Sequence, residues 1–370
     1  MNWKIKYAIL GLAFWLLLFL GWEWWRSYPK VRPVPVVHPE SLEGKIDSVL
    51  LRALGDLLIP GLAVGVVEDQ KVIYLKAFGY LDLETKDSLS VQSQLPVASV
   101  SKLFTALGLA KLGLESGFPV DTTLNALLPR GKQLPREFDG ISLRDLLRHA
   151  SGLSDSRSIR NLLLGEEKRK LNLLPEYLPT PDLDNKGYQY ADINFDLLGY
   201  AMESKAKKPF EELIRESTLK AAGMETSHFP SARPLGPAQG YKRTFLWKRL
   251  QATDLKLERY PSPSSGLLVS PEELSKALLH LCRGNMGAFD KELGWLQGKS
   301  DLPAGFQKIT LNGSVFLGHF GEQGGFSAIL AYSPELELGL FLLANAEDKA
   351  DFRKLLSSEI LTLLSSDHSQ

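Results

Sequence analysis

The first 25 residues and the rest of the chain follow different hydrophobic patterns. Tyr7 to Trp22 runs without a single charge, and Glu23, Trp24 and Trp25 follow it. At about 1.5 Å per helical residue, Tyr7 to Trp25 spans about 28 Å, the thickness of a bilayer hydrocarbon core. Beyond a Pro-rich stretch (Pro29, Pro33, Pro35, Pro39), Ser41 to Leu58 returns to helical spacing, with Leu42, Ile46, Val49, Leu50, Ala53, Leu54 and Leu57 on one face. Pro60-Gly61 ends that helix. Leu62 to Val67 is a continuous apolar run, a buried strand, and after the turn Glu68-Asp69-Gln70 the segment Lys71 to Gly79 comes back as a second strand. Ser99 to Leu114 is predicted as a helix through Leu103, Ala106, Leu107, Ala110 and Leu114. From about Leu124 to Leu281 helical patterns dominate, broken by polar and Pro-rich loops. Strands return at Ser314 to Leu317, Phe326 to Tyr332 and Leu338 to Ala344, before a last helix from about Asp351 to Leu364.

Strands at both ends with helices between them predict an α+β fold: one antiparallel sheet built from both ends of the chain, flanked by helices and carrying a helical insertion. The chain divides into a short stub and membrane anchor (residues 1–25), a Pro-rich spacer holding the body off the membrane (26–40) and one soluble body (41–366). The charged run Glu166-Glu167-Lys168-Arg169-Lys170 is expected on a solvated surface.

Composition narrows the function. Forty-three Lys+Arg balance 43 Asp+Glu, and a neutral chain lacks the basic excess of a nucleic-acid partner. One cysteine rules out an intrachain disulfide framework and any Cys-paired zinc site. The histidines (His38, His149, His228, His280, His319, His368) show no metal-ligand spacing, and no P-loop or dinucleotide fingerprint is present. Five of the seven tryptophans lie in the first 25 residues, where an interfacial belt would put them. Lys4 and Lys6 also suit the basic start of a signal peptide, but no small-residue cleavage site follows the apolar run. An anchor contacting the lipid bilayer through residues 7–25 is therefore expected. Lys4 and Lys6 on one side and Arg26, Lys30 and Arg32 on the other leave the orientation undecided by charge.

Ser-x-x-Lys is the chemistry the sequence offers. A serine at a helix start with a lysine three residues on puts both on one face, where the amine can polarise the hydroxyl or take its proton. The pattern occurs at Ser99/Lys102, Ser204/Lys207 and Ser217/Lys220. Ser204 sits in a charged stretch expected to be wet, and Ser217 in a polar helix end. Ser99 alone joins an apolar approach, Leu95-Pro96-Val97-Ala98, to a long apolar helix. At a buried helix N-terminus the free N–H groups favour a developing oxyanion.

The context of Ser99 resembles the serine β-lactamase and penicillin-binding-protein family, in its class C and D-Ala-D-Ala-carboxypeptidase branch with D-aminopeptidase relatives. The likeness begins at Ile59-Pro60-Gly61-Leu62-Ala63-Val64-Gly65-Val66-Val67 and continues through Phe78 to Thr85. Ala98-Ser99-Val100-Ser101-Lys102 is similar to the family's nucleophile segment, and Ile141 to Leu153, ending His149-Ala150-Ser151-Gly152-Leu153, to a recognisable non-catalytic stretch. Tyr190-Ala191-Asp192 stands at the Tyr-x-Asn element, Pro263 to Leu274 at a Gly-rich turn into a helix, and His319-Phe320-Gly321 at the Lys-Thr-Gly element. These run in family order from about residue 42 to 364.

The resemblance implies the β-lactamase/transpeptidase-like fold and a covalent route that needs no cofactor. Ser99 would attack a carbonyl, with Lys102 one turn away and Tyr190 serving as, or sharing, the general base. Backbone N–H groups of Ser99 and of Glu322, just after Gly321, would hold the oxyanion. Gly324-Gly325 either lets that strand approach closely or is only a turn, and His149 is expected to hold its loop. Two departures are informative. Asp192 replaces Asn, placing a negative charge near Lys102 that should keep the lysine protonated and leave Tyr190 the better base. His319 replaces Lys, weakening any grip on a substrate carboxylate. The expected function is a single-pass, membrane-anchored serine hydrolase on the periplasmic or extracytoplasmic side, acting on D-amino-acid peptides of cell-wall type or small esters. The alternatives are a true class C-type β-lactamase, and a catalytically idle relative that kept the cleft as a binding scaffold. Substrate choice is expected to lie in the loops Asn161 to Gly187 and Thr226 to Pro261.

Overall fold

A computed structural model describes residues 3–32, 34–36, 38–155, 170–184, 187–233, 236–283 and 287–367. Most of the charged run at 166–170, the first part of the 161–187 loop and His368 lie outside them.

Helix α1 (Trp3–Trp25) stands clear of the body along most of its length. Among the described residues it is the one helix long and apolar enough to cross a membrane, a property shared by anchors and signal sequences. Helix α2 (Leu42–Asp56) is capped by Ser41, whose Oγ accepts the Gly44 N–H at 3.0 Å. Its buried face, Ile46, Val49, Leu50, Ala53 and Leu54, follows the i, i+3, i+4 rule. Strands β1 (Gly61–Glu68) and β2 (Lys71–Gly79) form the predicted hairpin. Next come β3 (Leu95–Pro96), a 3₁₀ turn (Ala98–Val100) and α3 (Ser101–Ser116). The insertion contains short helices and α4 (Ile193–Ala206). A small hairpin of β4 (Gly240–Arg243) and β5 (Leu250–Thr253) follows, then β6 (Leu268–Val269) and α5 (Pro271–Cys282). The C-terminal part supplies β7 (Gln307–Leu311), β8 (Ser314–Gln323), β9 (Phe326–Ser333), β10 (Leu338–Ala344) and α6 (Phe352–Asp367).

Among the described residues the main sheet has six strands in the order β2-β1-β10-β9-β8-β7, each pair antiparallel, with Leu62 opposite Ala344. The sheet is thus closed by the two ends of the chain, as the pattern predicted. Alternation sorts its side chains into two layers. Leu62, Val64, Val66, Leu340 and Leu342 pack against α2 and α6. Ala63, Val67, Phe341, Leu343 and Leu330 face the helical insertion. Covered on both faces, β1 reads as a continuous apolar run rather than an alternating one.

Several elements depart from the expectations. β7 was not predicted, although Asn312-Gly313 between β7 and β8 is the strongest short hairpin signal; both residues have positive φ (49° and 81°). β8 runs on past Leu317 to Gln323 and so carries His319 to Glu322. Ser204 is buried in α4 rather than wet. The stretch after α1 is joined to the body. Tyr28 exchanges both backbone hydrogen bonds with Leu250 (2.7 and 2.9 Å), and Val31 is buried beside α2 and the sheet.

Candidate active site

The site forms where the start of α3, the loop before α4, the Pro263–Gly266 turn and the open end of β8 converge. Val97 is pinned by its N–H to Leu267 O at 3.1 Å, and Ala98 then takes a positive φ of 47°. A residue with a β-carbon is strained in that region, and the strain turns the chain sharply into the helix that presents Ser99. Ser101 locks the turn from below: its Oγ donates to Ala98 O (2.6 Å) and accepts the Leu267 N–H (2.9 Å).

Lys102 lies one turn on and is fully buried. Its Nζ donates to Ser99 Oγ at 3.0 Å, to Asp192 Oδ1 at 2.7 Å and to Ser264 O at 2.9 Å. These use all three ammonium hydrogens. Burial alone would lower the lysine pKa, but the charge and hydrogen bond of Asp192, with Tyr190, outweigh it and hold the ammonium above the ordinary lysine range. With no lone pair free, this lysine cannot take a proton from Ser99. The other group on Ser99 Oγ is Tyr190 Oη, at 2.9 Å, and Lys102 Nζ lies 5.0 Å from the Tyr190 ring centroid.

Tyr190 is positioned from the 149–155 loop. His149 stacks on its ring at 4.3 Å, accepts the Ala191 N–H at Nδ1 (3.2 Å), and through its carbonyl accepts the Gln189 N–H (2.7 Å). Asp155 accepts the N–H groups of Asp192 and Ile193 (2.8 and 3.0 Å), which caps α4 and fixes Asp192 toward Lys102. His149 therefore does more than hold its own loop: it forms the wall behind the tyrosine.

Opposite Ser99, β8 comes close because Gly321 has no side chain. A β-carbon there would lie 2.2 Å from Val97 O and 3.1 Å from Ser99 N. β7 covers β8 only as far as Gly318, so the edge from His319 onward is open. Gly321 O is turned toward Arg353, whose Nη1 donates to it at 2.6 Å; in a trans peptide the Glu322 N–H then points the opposite way. The Glu322 side chain is drawn off to Arg353 Nη2 (3.1 Å) and the Asp348 N–H (3.3 Å), leaving the strand edge clear. Gly324-Gly325, with φ of 55° and 78°, is the two-residue turn between β8 and β9. It packs against β4 and Leu255, so the glycine that permits the approach to Ser99 is Gly321.

His319 is buried on β8. Its Nδ1 faces Phe320 O and must carry the proton. Burial, then the nearby Lys102 charge, push its pKa down to about 3, and the same two causes push His149 down to about 4. Both rings are neutral, so His319 brings no charge to a substrate carboxylate. Linkage follows with a definite sign. The unfolded imidazole takes a proton near 6.5 and the folded one near 3, so stability drops by about 1.4 kcal/mol per pH unit and per group as pH falls through that window. Asp196, raised to about 7 by burial, works oppositely, losing stability as pH rises from its ordinary 3.8. In thermal melts followed by circular dichroism, His319→Gln is expected to lose less of its midpoint than the wild type between about pH 7 and about pH 4.5. Equal losses would contradict a neutral, buried His319.

The structure thus brings together Ser99, Lys102, Tyr190, Asp192, His319, Gly321 and Glu322. Sequence reasoning gave no role to Asp155, Ser264 or Arg353. Asp155 follows two residues after the recognised His149–Leu153 stretch, and Ser264 lies within the quoted turn, so proximity was the available signal; Arg353 had none. Beside the site, a cavity of about 530 Å³ is lined by Arg148, His149, Tyr188, Lys299, Phe306 and His319, among others. It borders the two histidines rather than Ser99, which makes it a side room to the cleft.

Comparison with known proteins gives the same picture. Protein flp of Staphylococcus aureus (strain MW2) is 23% identical over 318 residues, 81% of this chain and 62% of the relative, so the chain spans less than two thirds of that protein's length. A class C beta-lactamase superposes with a TM-score of 0.71 at 20% identity, over 88% of this chain and 98% of that one. A D-amino acid amidase from Ochrobactrum anthropi SV3 does so at 0.69 and 17%, with the same coverage. The family model described as Beta-lactamase matches residues 47–363, and with the fold and the Ser99 site in place the chain belongs to the beta-lactamase family.

Proposed function

We propose that the chain is a membrane-anchored serine hydrolase that opens an amide or ester through an acyl-enzyme on Ser99, with D-amino-acid amides or peptides of cell-wall type, or small esters, as substrates. The observation that carries this reading is Ser99 Oγ held between Lys102 Nζ at 3.0 Å and Tyr190 Oη at 2.9 Å. In the reacting state Tyr190 has given its phenol proton to solvent and stands as a phenolate beside the Lys102 ammonium. Ser99 attacks the carbonyl carbon while its proton passes to that phenolate, which becomes a neutral phenol; Lys102 stays an ammonium and offsets the negative charge throughout. The carbonyl oxygen, now anionic, rests on the N–H groups of Ser99 and Glu322. Tyr190 returns the proton to the leaving amine or alcohol, and water later releases the acyl group by the same path reversed.

The choice of amide or ester over β-lactam rests on His319, whose buried neutral ring provides no cation for a carboxylate. A D-amino acid amidase among the structural neighbours supports the same direction. The anchor rests on the 23-residue apolar α1, and the body is assigned to the extracytoplasmic side, where cell-wall peptides are found. The test is intact-protein mass spectrometry after exposure to a panel of D-Ala peptides, D-amino acid amides, short-chain esters and β-lactams. A covalent adduct with amides or esters that turns over is expected, with β-lactams reacting without efficient release. No adduct with any member would leave the cleft a binding site only, and rapid β-lactam turnover would make the protein a β-lactamase.

A further inference from the structure

The hairpin tip between β4 and β5 carries residues that a solvated turn does not need. Turn tips favour Gly, Asn, Asp and Pro, whereas this one reads Thr244-Phe245-Leu246-Trp247-Lys248-Arg249. Phe245 is 80% exposed and Leu246 54%. The tip is fastened to the C-terminal end of α1 at several points. The Phe245 N–H donates to Glu23 Oε1 at 2.7 Å, and the Trp247 indole N–H donates to Leu20 O at 3.0 Å. Trp24 meets Trp247 edge-on at 5.4 Å, and the Arg249 guanidinium lies 4.2 Å over the Trp24 ring while bonding Ser27 Oγ and Ser27 O. The Tyr28–Leu250 backbone pair extends the junction into β5.

These contacts fix depth. Leu20 lies five residues before Trp25, about 7–8 Å back along the helix axis. The tip therefore sits level with the tryptophan girdle of α1, and Arg26, over the Trp22 ring, and Lys248, in the tip itself, bring cations to the level where lipid phosphates would lie. Glu23, the one acidic residue of α1, is buried at this junction and spends one oxygen on the tip.

We propose that Phe245, Leu246 and Trp247 form a second membrane contact, seated in the headgroup and upper acyl layer of the bilayer that α1 crosses. The inference rests on the reading of α1 as a membrane span. The body is then held against the bilayer at two points in one fixed orientation, where a single flexible tether would let it swing.

The test uses the full chain in vesicles of phosphatidylcholine and phosphatidylglycerol, with an environment-sensitive fluorophore on one introduced cysteine at a time: Leu246→Cys at the tip, Leu16→Cys in α1, and Leu336→Cys in the exposed turn between β9 and β10. Cys282 is buried and stays unlabelled in the folded protein. A blue shift and loss of intensity with doxyl-labelled lipid are expected at 246 and at 16, and neither at 336. If 246 behaves like 336 while 16 is quenched, the tip contact falls and the span stands. If 16 is not quenched, the span reading falls and this inference loses its basis.

Discussion

Ser99→Ala is expected to abolish the covalent adduct and to lower turnover of any accepted ester or amide by about 10⁴-fold or more, the size of loss seen when a nucleophile is removed from a preorganised site. The fold survives. Lys102 keeps its bonds to Asp192 and Ser264, and Tyr190, 40% exposed, can replace its serine contact with water. Losing one hydrogen bond costs about 1 kcal/mol, so the thermal midpoint should shift by only a few degrees. Adduct mass and midpoint measured on the same preparation separate chemistry from unfolding. An adduct of wild-type yield in Ser99→Ala would remove Ser99 from the mechanism.

The second large effect belongs to the lysine. Lys102→Met keeps the stem's volume and removes the cation that faces both the nucleophile and the phenol; acylation is expected to fall about 10³-fold. Stability should suffer less than the 3–5 kcal/mol typical, roughly, of breaking a fully buried ion pair. The partner left behind, Asp192, has a side chain 32% exposed and can take up water. Asp192→Asn probes the same charge from the other side. Because Asp192 holds the Lys102 pKa up, removing its charge lets that pKa drop, and the alkaline limb of the rate–pH profile should move to lower pH. Since a raised lysine pKa contributes stability below its unfolded value, near 10.5, and loses it as pH rises through the folded value, this variant also gives up part of the wild type's alkaline margin. A limb unmoved by Asp192→Asn would mean that Lys102 does not set it.

What the sequence disclosed and what it hid have physical causes. β1, β10 and α2 were legible because burial on both faces or on one helical stripe writes itself into composition. Ser99 and Lys102 were legible because both stand on one continuous helical segment, where spacing is geometry. β7 was hidden by its polar edge residues, Gln307 and Lys308, which alternate too weakly to signal a strand. Arg353 was hidden for another reason. It comes from α6, 32 positions after Gly321, and its contact with the Gly321 carbonyl exists only once the sheet has closed. The charge of Lys102 was legible through Asp192, but the Ser264 carbonyl, which completes the ammonium's bonds, emerged only from the packing of the 263–266 turn.

The arrangement of the sheet also sets a timetable for biosynthesis. β1 leaves the ribosome early, but its partner β10 lies about 280 residues downstream, a separation that makes pairing slow and exposes the waiting strand. Ser99 and Lys102 emerge in the first third of the polypeptide, whereas the strand edge opposite them, and the arginine that turns its peptide, come from the last sixth. A nascent chain thus carries Ser99 and Lys102 long before the strand edge that faces them exists, and the proposed site is assembled only when synthesis of the whole body is complete.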